Sequence, residues 1–137
     1  MKTAVRYFTR SGNTKLLAET IAAVLGEEAL DLSAPLEEKV DLLFLGNSVY
    51  GGNPDPAVAD FLEKNADMIG MLVNFGSSAS KRSTFKKIQK IAEKHSIALF
   101  KEEFSCPGSF LFLHKSRPNA GDLEAAAEFA KKTAGIA

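Results

Sequence analysis

The residues of this 137-residue chain that could do chemistry are mostly small polar ones, gathered in three short stretches. The first is Thr9-Arg10-Ser11-Gly12-Asn13-Thr14, the second runs from Asn47 to Pro54, and the third from Gly76 to Arg82. The first stretch joins a β-rich segment to a helical one. A helix N-terminus presents unpaired backbone N–H groups and the positive end of the helix dipole, so this loop favours an anion, with the hydroxyls of Thr9, Ser11 and Thr14 as further donors. A phosphate monoester suits it. No Gly-Lys-Ser/Thr follows, so the loop is not a Walker A motif, and Gly-x-Gly-x-x-Gly is absent. Both absences argue against a nucleoside triphosphate or NAD as the tightly held ligand.

Conventional catalytic groups are sparse, and none is assigned a catalytic role. Cys106 is the sole cysteine; it has no adjacent activating base, and Phe112 stands where a phosphatase loop would carry arginine. It reads as a small buried hydrophobe. His95 and His114 lie far apart, without Cys or His at metal-ligand spacing, so a zinc module and a disulfide scaffold are both excluded and no metal is expected.

Positioning these loops is the task of the elements around them. Residues 3–8 read as a β-rich strand, and the helix that follows shows Leu17, Ile21, Val24 and Leu25 on one face before Gly26 stops it. Residues 29–32 form a weaker strand, and 41–46 contain the continuous apolar run Leu42-Leu43-Phe44-Leu45, the mark of a strand buried on both faces of a parallel sheet. Asp55 is an N-cap with Pro56 at the first helical position and Val58, Phe61 and Leu62 facing inward. Residues 69–75 and 97–104 are read as the fourth and fifth strands. Between them, Ser80 or Ser83 caps a helix that carries Phe85, Ile88 and Ile91 on one face. Asn119 caps the last helix, with Leu123, Ala126, Ala127 and Ala130 inward. Alternating strands and helices imply βαβ units, hence an α/β, doubly wound, five-stranded parallel sheet covered on both faces. One connection is unusual: 32–41 is shorter than the dozen residues a parallel crossover normally needs, and it reads as a minimal extended link.

The whole chain, 1–137, is read as a single domain. Seventeen basic and seventeen acidic side chains cancel, leaving no general field to steer the protein onto nucleic acid or an anionic membrane. The longest apolar run is short and no signal pattern opens the chain, so a cytoplasmic location is expected. The basic run Lys81, Arg82, Lys86, Lys87, Lys90 and Lys94 reads as a solvated helix face.

The first loop resembles the phosphate-binding loop of the flavodoxin family, a Ser/Thr-x-Ser/Thr-Gly-x-Thr pattern between the first strand and first helix. Leu45-Gly46-Asn47-Ser48-Val49-Tyr50-Gly51-Gly52 is similar to that family's second flavin loop, and Phe75-Gly76-Ser77-Ser78 to the start of its third. The resemblance spans essentially the whole chain and implies a three-layer αβα fold with strand order 2-1-3-4-5. It further implies non-covalently bound FMN used for electron transfer with transient redox partner proteins, by a monomer or weak dimer. Thr9, Ser11, Asn13 and Thr14, with the backbone of Arg10 and Gly12, would hold the phosphate. Asn47, Ser48, Val49, Tyr50, Gly51 and Gly52 would border the ring, with Tyr50 stacked on it and the Gly51 carbonyl accepting a hydrogen bond from protonated flavin N5. Phe75, Gly76, Ser77, Ser78 and Ser80 would bring backbone amides to the pyrimidine edge.

Two departures favour an alternative on the same fold, an FMN-dependent NAD(P)H or quinone oxidoreductase. The third loop lacks the aromatic that many flavodoxins place over the outer flavin face, and the chain is neutral where familiar flavodoxins are strongly acidic. Phe110, Phe112 or His114 could cover that face or leave it open to a substrate. A phosphoacceptor module of the same topology would need acidic residues where Thr9 and Asn47 stand.

Overall fold

The computed structural model describes residues 1–48, 53–78, 83–107 and 117–136. The elements run β1 (Thr3–Tyr7), α1 (Asn13–Leu25), β2 (Ala29–Asp31), β3 (Val40–Gly46), α2 (Pro56–Asn65), β4 (Ile69–Ser78), α3 (Phe85–Lys94), β5 (Phe104–Pro107) and α4 (Ala120–Ala134), with a 3-10 turn at Ala66–Met68. The strands form one sheet in the order β2-β1-β3-β4-β5, and every pairing is parallel.

Side-chain alternation along the central strands builds two cores. Leu43 and Leu45 of β3 pack with Val58, Phe61 and Leu62 of α2 and Ile88 and Ala92 of α3. Phe44, with Val5 and Tyr7 of β1, packs with Leu17, Ala18 and Ile21 of α1 and Ala126 and Ala130 of α4. The unbroken apolar run in β3 is thus explained, since both of its faces are covered by helices. The helix ends follow local chemistry as well. Asp55 accepts a hydrogen bond from the Ala57 N–H at 2.9 Å, Asn119 and Asp122 form a reciprocal capping box, and Gly26 closes α1 in the left-handed conformation. The lysines of α3 at 86, 87, 90 and 94 are all exposed.

The link 32–39 between β2 and β3 forms no helix, and side chains supply what helical hydrogen bonds would have supplied. Arg6 projects from β1 onto this face and is 8% exposed. Its Nε donates to the Ala34 carbonyl at 2.8 Å and its Nη2 to the Pro35 carbonyl at 3.2 Å. Asn65 of α2 accepts from the Leu36 N–H at 3.0 Å, and Leu36 itself is buried. Burial draws the Arg6 guanidinium below its ordinary value, and the carboxylates of Glu37, Glu27 and Glu28 oppose that shift.

Two boundaries differ from the sequence reading, and they differ together. The fifth strand begins only at Phe104, the last residue of the expected 97–104 segment, and the rest of that segment pairs through a Leu99 bridge to Leu72. From Leu72 to Phe75 β4 advances three positions, whereas from Leu99 to Phe104 its partner advances five. The excess is a bulge at Lys101-Glu102-Glu103, three charged residues that a strand with covered faces cannot hold. Because β5 resumes late, β4 keeps a partner through Ser78, and the expected loop residues Gly76, Ser77 and Ser78 are strand residues paired with Ser105, Cys106 and Pro107.

Candidate functional site

At the carboxyl end of β1 the chain turns sharply at Gly12, whose φ of 88° is left-handed. Gly12 donates its N–H to the Thr9 hydroxyl at 2.9 Å and accepts from the Leu16 N–H at 3.1 Å, so it both closes the loop and starts α1. As N-cap it offers no side chain to the first turn of the helix. The turn's N–H groups therefore face a loop whose Arg10, Ser11 and Gly12 are exposed. That is the geometry of an anion site.

Thr14, the second residue of α1, is fully buried. Its hydroxyl lies 2.8 Å from the hydroxyl of Ser48 and 3.3 Å from that of Ser77. One residue from each of the three sequence-predicted loops therefore meets at a single hydrogen-bonded cluster. The partners stand 34 and 63 positions away along the chain. All three are buried, so their hydroxyls tie the loops to one another.

Close backbone approach completes the crevice floor. A Cβ on Gly76 would fall 1.9 Å from the Asn47 carbonyl oxygen, and one on Gly46 would fall 2.6 Å from the Phe75 ring. Only glycine fits at either position. Phe75 is fully buried beneath Gly46 and contributes packing. Asn47, at the end of β3, donates from Nδ2 to Asn74 Oδ1 at 2.8 Å. Its own Oδ1 is buried and has no hydrogen-bond partner among the described residues. Such an orphaned acceptor at the strand ends suits a ligand N–H or O–H. Val49, Tyr50, Gly51, Gly52 and Ser80 lie outside the described residues, as do Lys81, Arg82, Phe110, Phe112 and His114.

The structure adds contacts that the sequence reading did not give. Arg10 pairs with Asp55 at 2.8 Å and so fastens the first loop to the N-terminus of α2. The Asp55 carboxyl is held below its usual range first by the Ala57 N–H and then by Arg10. Asn74 donates to Glu103 at 2.9 Å and to Thr84 at 3.2 Å, and the Ser83 hydroxyl donates to Glu103 at 2.7 Å. A signal was present: Asn74 interrupts the apolar strand Met71-Leu72-Val73, and a buried amide needs partners. Burial pushes the Cys106 thiol up to about 11, which makes it a poor nucleophile. No group of His, Cys, Asp and Glu among the described residues could hold a metal ion, and no described helix is long and apolar enough to cross a membrane.

Neither a protein-family model nor a curated protein matches the chain. Solved structures do. A flavodoxin from the domain Archaea superposes with a TM-score of 0.80 at 17% identity, covering 98% of this chain and 97% of that one. The chain has the flavodoxin-like fold. Oxidised Flavodoxin 1 from Bacillus cereus gives 0.74 at 22% identity, covering 98% of each chain. A flavodoxin, WrbA-like protein from Agrobacterium tumefaciens gives 0.74 at 20%, covering 97% of this chain and 94% of that one. In a flavodoxin-like fold of order 2-1-3-4-5 the strand order reverses beside β1, and ligands bind in the crevice past the strand ends at that switch point. The Thr14, Ser48 and Ser77 cluster stands there.

Proposed function

We propose that the chain is an FMN-binding electron-transfer protein that holds its flavin non-covalently and passes electrons to transiently docked partner proteins. The observation that carries this reading is the convergence of the three loops at Thr14, Ser48 and Ser77, beside a helix N-terminus without a side-chain cap. The residues fit the group: an anion loop for the phosphate, an orphaned Asn47 acceptor for a ligand donor, and a floor at Gly46 and Gly76 with no room for a Cβ. Thr9, Ser11 and Asn13, with the backbone of Arg10 and Gly12, would bind the phosphate, and Arg10 paired to Asp55 would keep the loop closed over it. Tyr50 would stack on the ring. When bound, FMN supplies the redox chemistry, and the protein supplies orientation and electrostatics.

The second reading, an FMN-dependent NAD(P)H or quinone oxidoreductase, is favoured by the balanced charge and by the lack of an aromatic in 76–82. The protein is incubated with FMN, desalted and reduced stepwise while the visible spectrum is recorded. Retained flavin that takes up two electrons in separate steps supports the carrier. A single two-electron step with fast turnover of NAD(P)H or a quinone supports the enzyme. Loss of all flavin on desalting would overturn both.

A further inference from the structure

Four lysines stand on α3, and they share one face. At about 100° per residue, Lys86, Lys87, Lys90 and Lys94 fall within an arc of about 100°, opposite the buried Ile88 and Ala92. All four are exposed, and none pairs with a carboxylate among the described residues. This arrangement works against the helix. Lys86 and Lys87 occupy the first turn, where the positive end of the helix dipole repels a cation, and that turn holds no acidic residue. Lys86 with Lys90, Lys87 with Lys90, and Lys90 with Lys94 are like-charge neighbours three or four positions apart. A face needed only for solubility is better served by interspersed signs. The lysines therefore weaken α3 unless an anionic surface covers them.

Their placement says what kind of surface. Like every helix that follows a strand here, α3 starts at the carboxyl end of the sheet, the end where the three loops meet. Thr84, its N-cap, accepts from Asn74 at 3.2 Å, and Asn74 accepts from Asn47 of the crevice floor. The first turn of α3 thus borders the crevice. The chain as a whole is neutral, but α3 carries four lysines and Glu93, a net +3, so the remainder carries −3. Carboxylates gather at the far edge of the sheet: Glu27, Glu28, Asp31, Glu37, Glu38 and Asp41 are all exposed around β2, against Lys2 and Lys39.

We propose that the lysine face of α3 docks an acidic protein surface, that of the partner which exchanges electrons with the bound flavin. The inference rests on the flavin reading above and names the kind of partner that reads the site. Charge complementarity selects the occupant. A local acidic patch is drawn to α3 beside the crevice and repelled by the β2 edge, so the field orients the partner as well as attracting it. Nucleic acid or an anionic bilayer, charged along its whole extent, meets the acidic edge too, and a face of about 15 Å is a short footprint for either.

The probes are cytochrome b5, a small acidic haem protein, and cytochrome c, a basic one. The FMN-loaded chain is reduced and mixed by stopped flow with either ferric cytochrome, and haem reduction is followed from about 20 to 500 mM salt. With cytochrome b5 the second-order rate should fall at least about tenfold over that range. Combining Lys86→Gln, Lys87→Gln and Lys90→Gln should lower the low-salt rate at least about fivefold, while Glu27→Gln with Glu28→Gln changes it less than about twofold. Cytochrome c should lose no rate in the triple variant. Docking is read separately from backbone amide shifts of the chain, without FMN, on adding reduced cytochrome b5; they should be confined to α3 and the crevice rim. Unchanged rates and shifts in the triple variant would overturn the docking face and leave the flavin reading standing. Loss of binding to phosphatidylserine vesicles or single-stranded RNA in that variant, with cytochrome b5 rates unchanged, would overturn it in favour of a polyanion. If no flavin is retained, the flavin reading fails and the shifts alone decide whether α3 binds acidic protein.

Discussion

On one side of β1, Val5 and Tyr7 pack beneath α1, a helix whose backbone groups satisfy one another and whose buried face is Leu17, Ala18 and Ile21. On the other side, Arg6 reaches under a link without a helix, and Asn65 meets the same link from α2. The strand is the same, and the residues differ because the covering segment differs. A helix buries an apolar stripe at no cost in unpaired backbone groups, whereas an extended crossover exposes carbonyls and N–H groups that side chains must answer. The region that lacks the helix is therefore more polar inside and more open, and its Leu32, Ser33 and Pro35 line an open cavity of about 840 Å³.

Substitutions on the two sides separate these modes of support. Leu17→Ala should cost the most, about 2 to 5 kcal/mol, because the helix face is close-packed and a void remains. Arg6→Leu should cost about 1 to 2 kcal/mol, since it removes the donors of the partly buried Ala34 and Pro35 carbonyls. Denaturant unfolding measures both; an Arg6→Leu variant as stable as the parent would show that the link needs no side-chain donors. Thr14→Val should cost about 1 kcal/mol in stability. It should also weaken FMN, because the hydroxyl that joins Ser48 and Ser77 is gone. Arg10→Ala should change stability by less than about 1 kcal/mol, as expected for a pair in which Arg10 is 57% exposed.

A pH experiment extends the comparison to the α4 end of the α1 side. Arg117 pairs with Asp122 through two hydrogen bonds and holds its carboxyl below the usual range. A depressed folded-state value means that the stabilisation is complete above the ordinary carboxylate range and is lost as pH falls through it. Thermal melts from pH 7 to pH 3 should therefore fall less steeply for Asp122→Asn than for the parent. Parallel curves would show that the pair contributes nothing.

Most of the fold was legible because its signals are local. The run Leu42 to Leu45 marked the central strand, Asp55-Pro56 and Asn119 marked helix starts, and Gly26 marked a stop. The first loop was legible as a Gly-containing polar turn after a strand, and Thr14, Ser48 and Ser77 do meet, although Gly76, Ser77 and Ser78 belong to β4 where a loop was expected. The late start of β5 was not legible, because the apolar stretch 97–100 looks like a strand and only pairing with β4 shows where the charged bulge falls. The Arg10 to Asp55 pair and the Asn74 to Glu103 bond were hidden for the same reason, each joining residues far apart in sequence. Arg6 read as an ordinary strand residue: the short connection 32–41 announced a missing helix, but only the fold shows which side chain reaches its carbonyls.

The claim that the first loop is a phosphate site is tested most directly by titrating the protein with FMN and with riboflavin, and repeating both titrations with Ser11→Ala. Ser11 is exposed, and no part of the buried cluster depends on it. FMN should bind at least about tenfold more tightly than riboflavin, and Ser11→Ala should narrow that gap by weakening FMN alone. Equal affinity for the two flavins, or equal loss of both in the variant, would contradict the account.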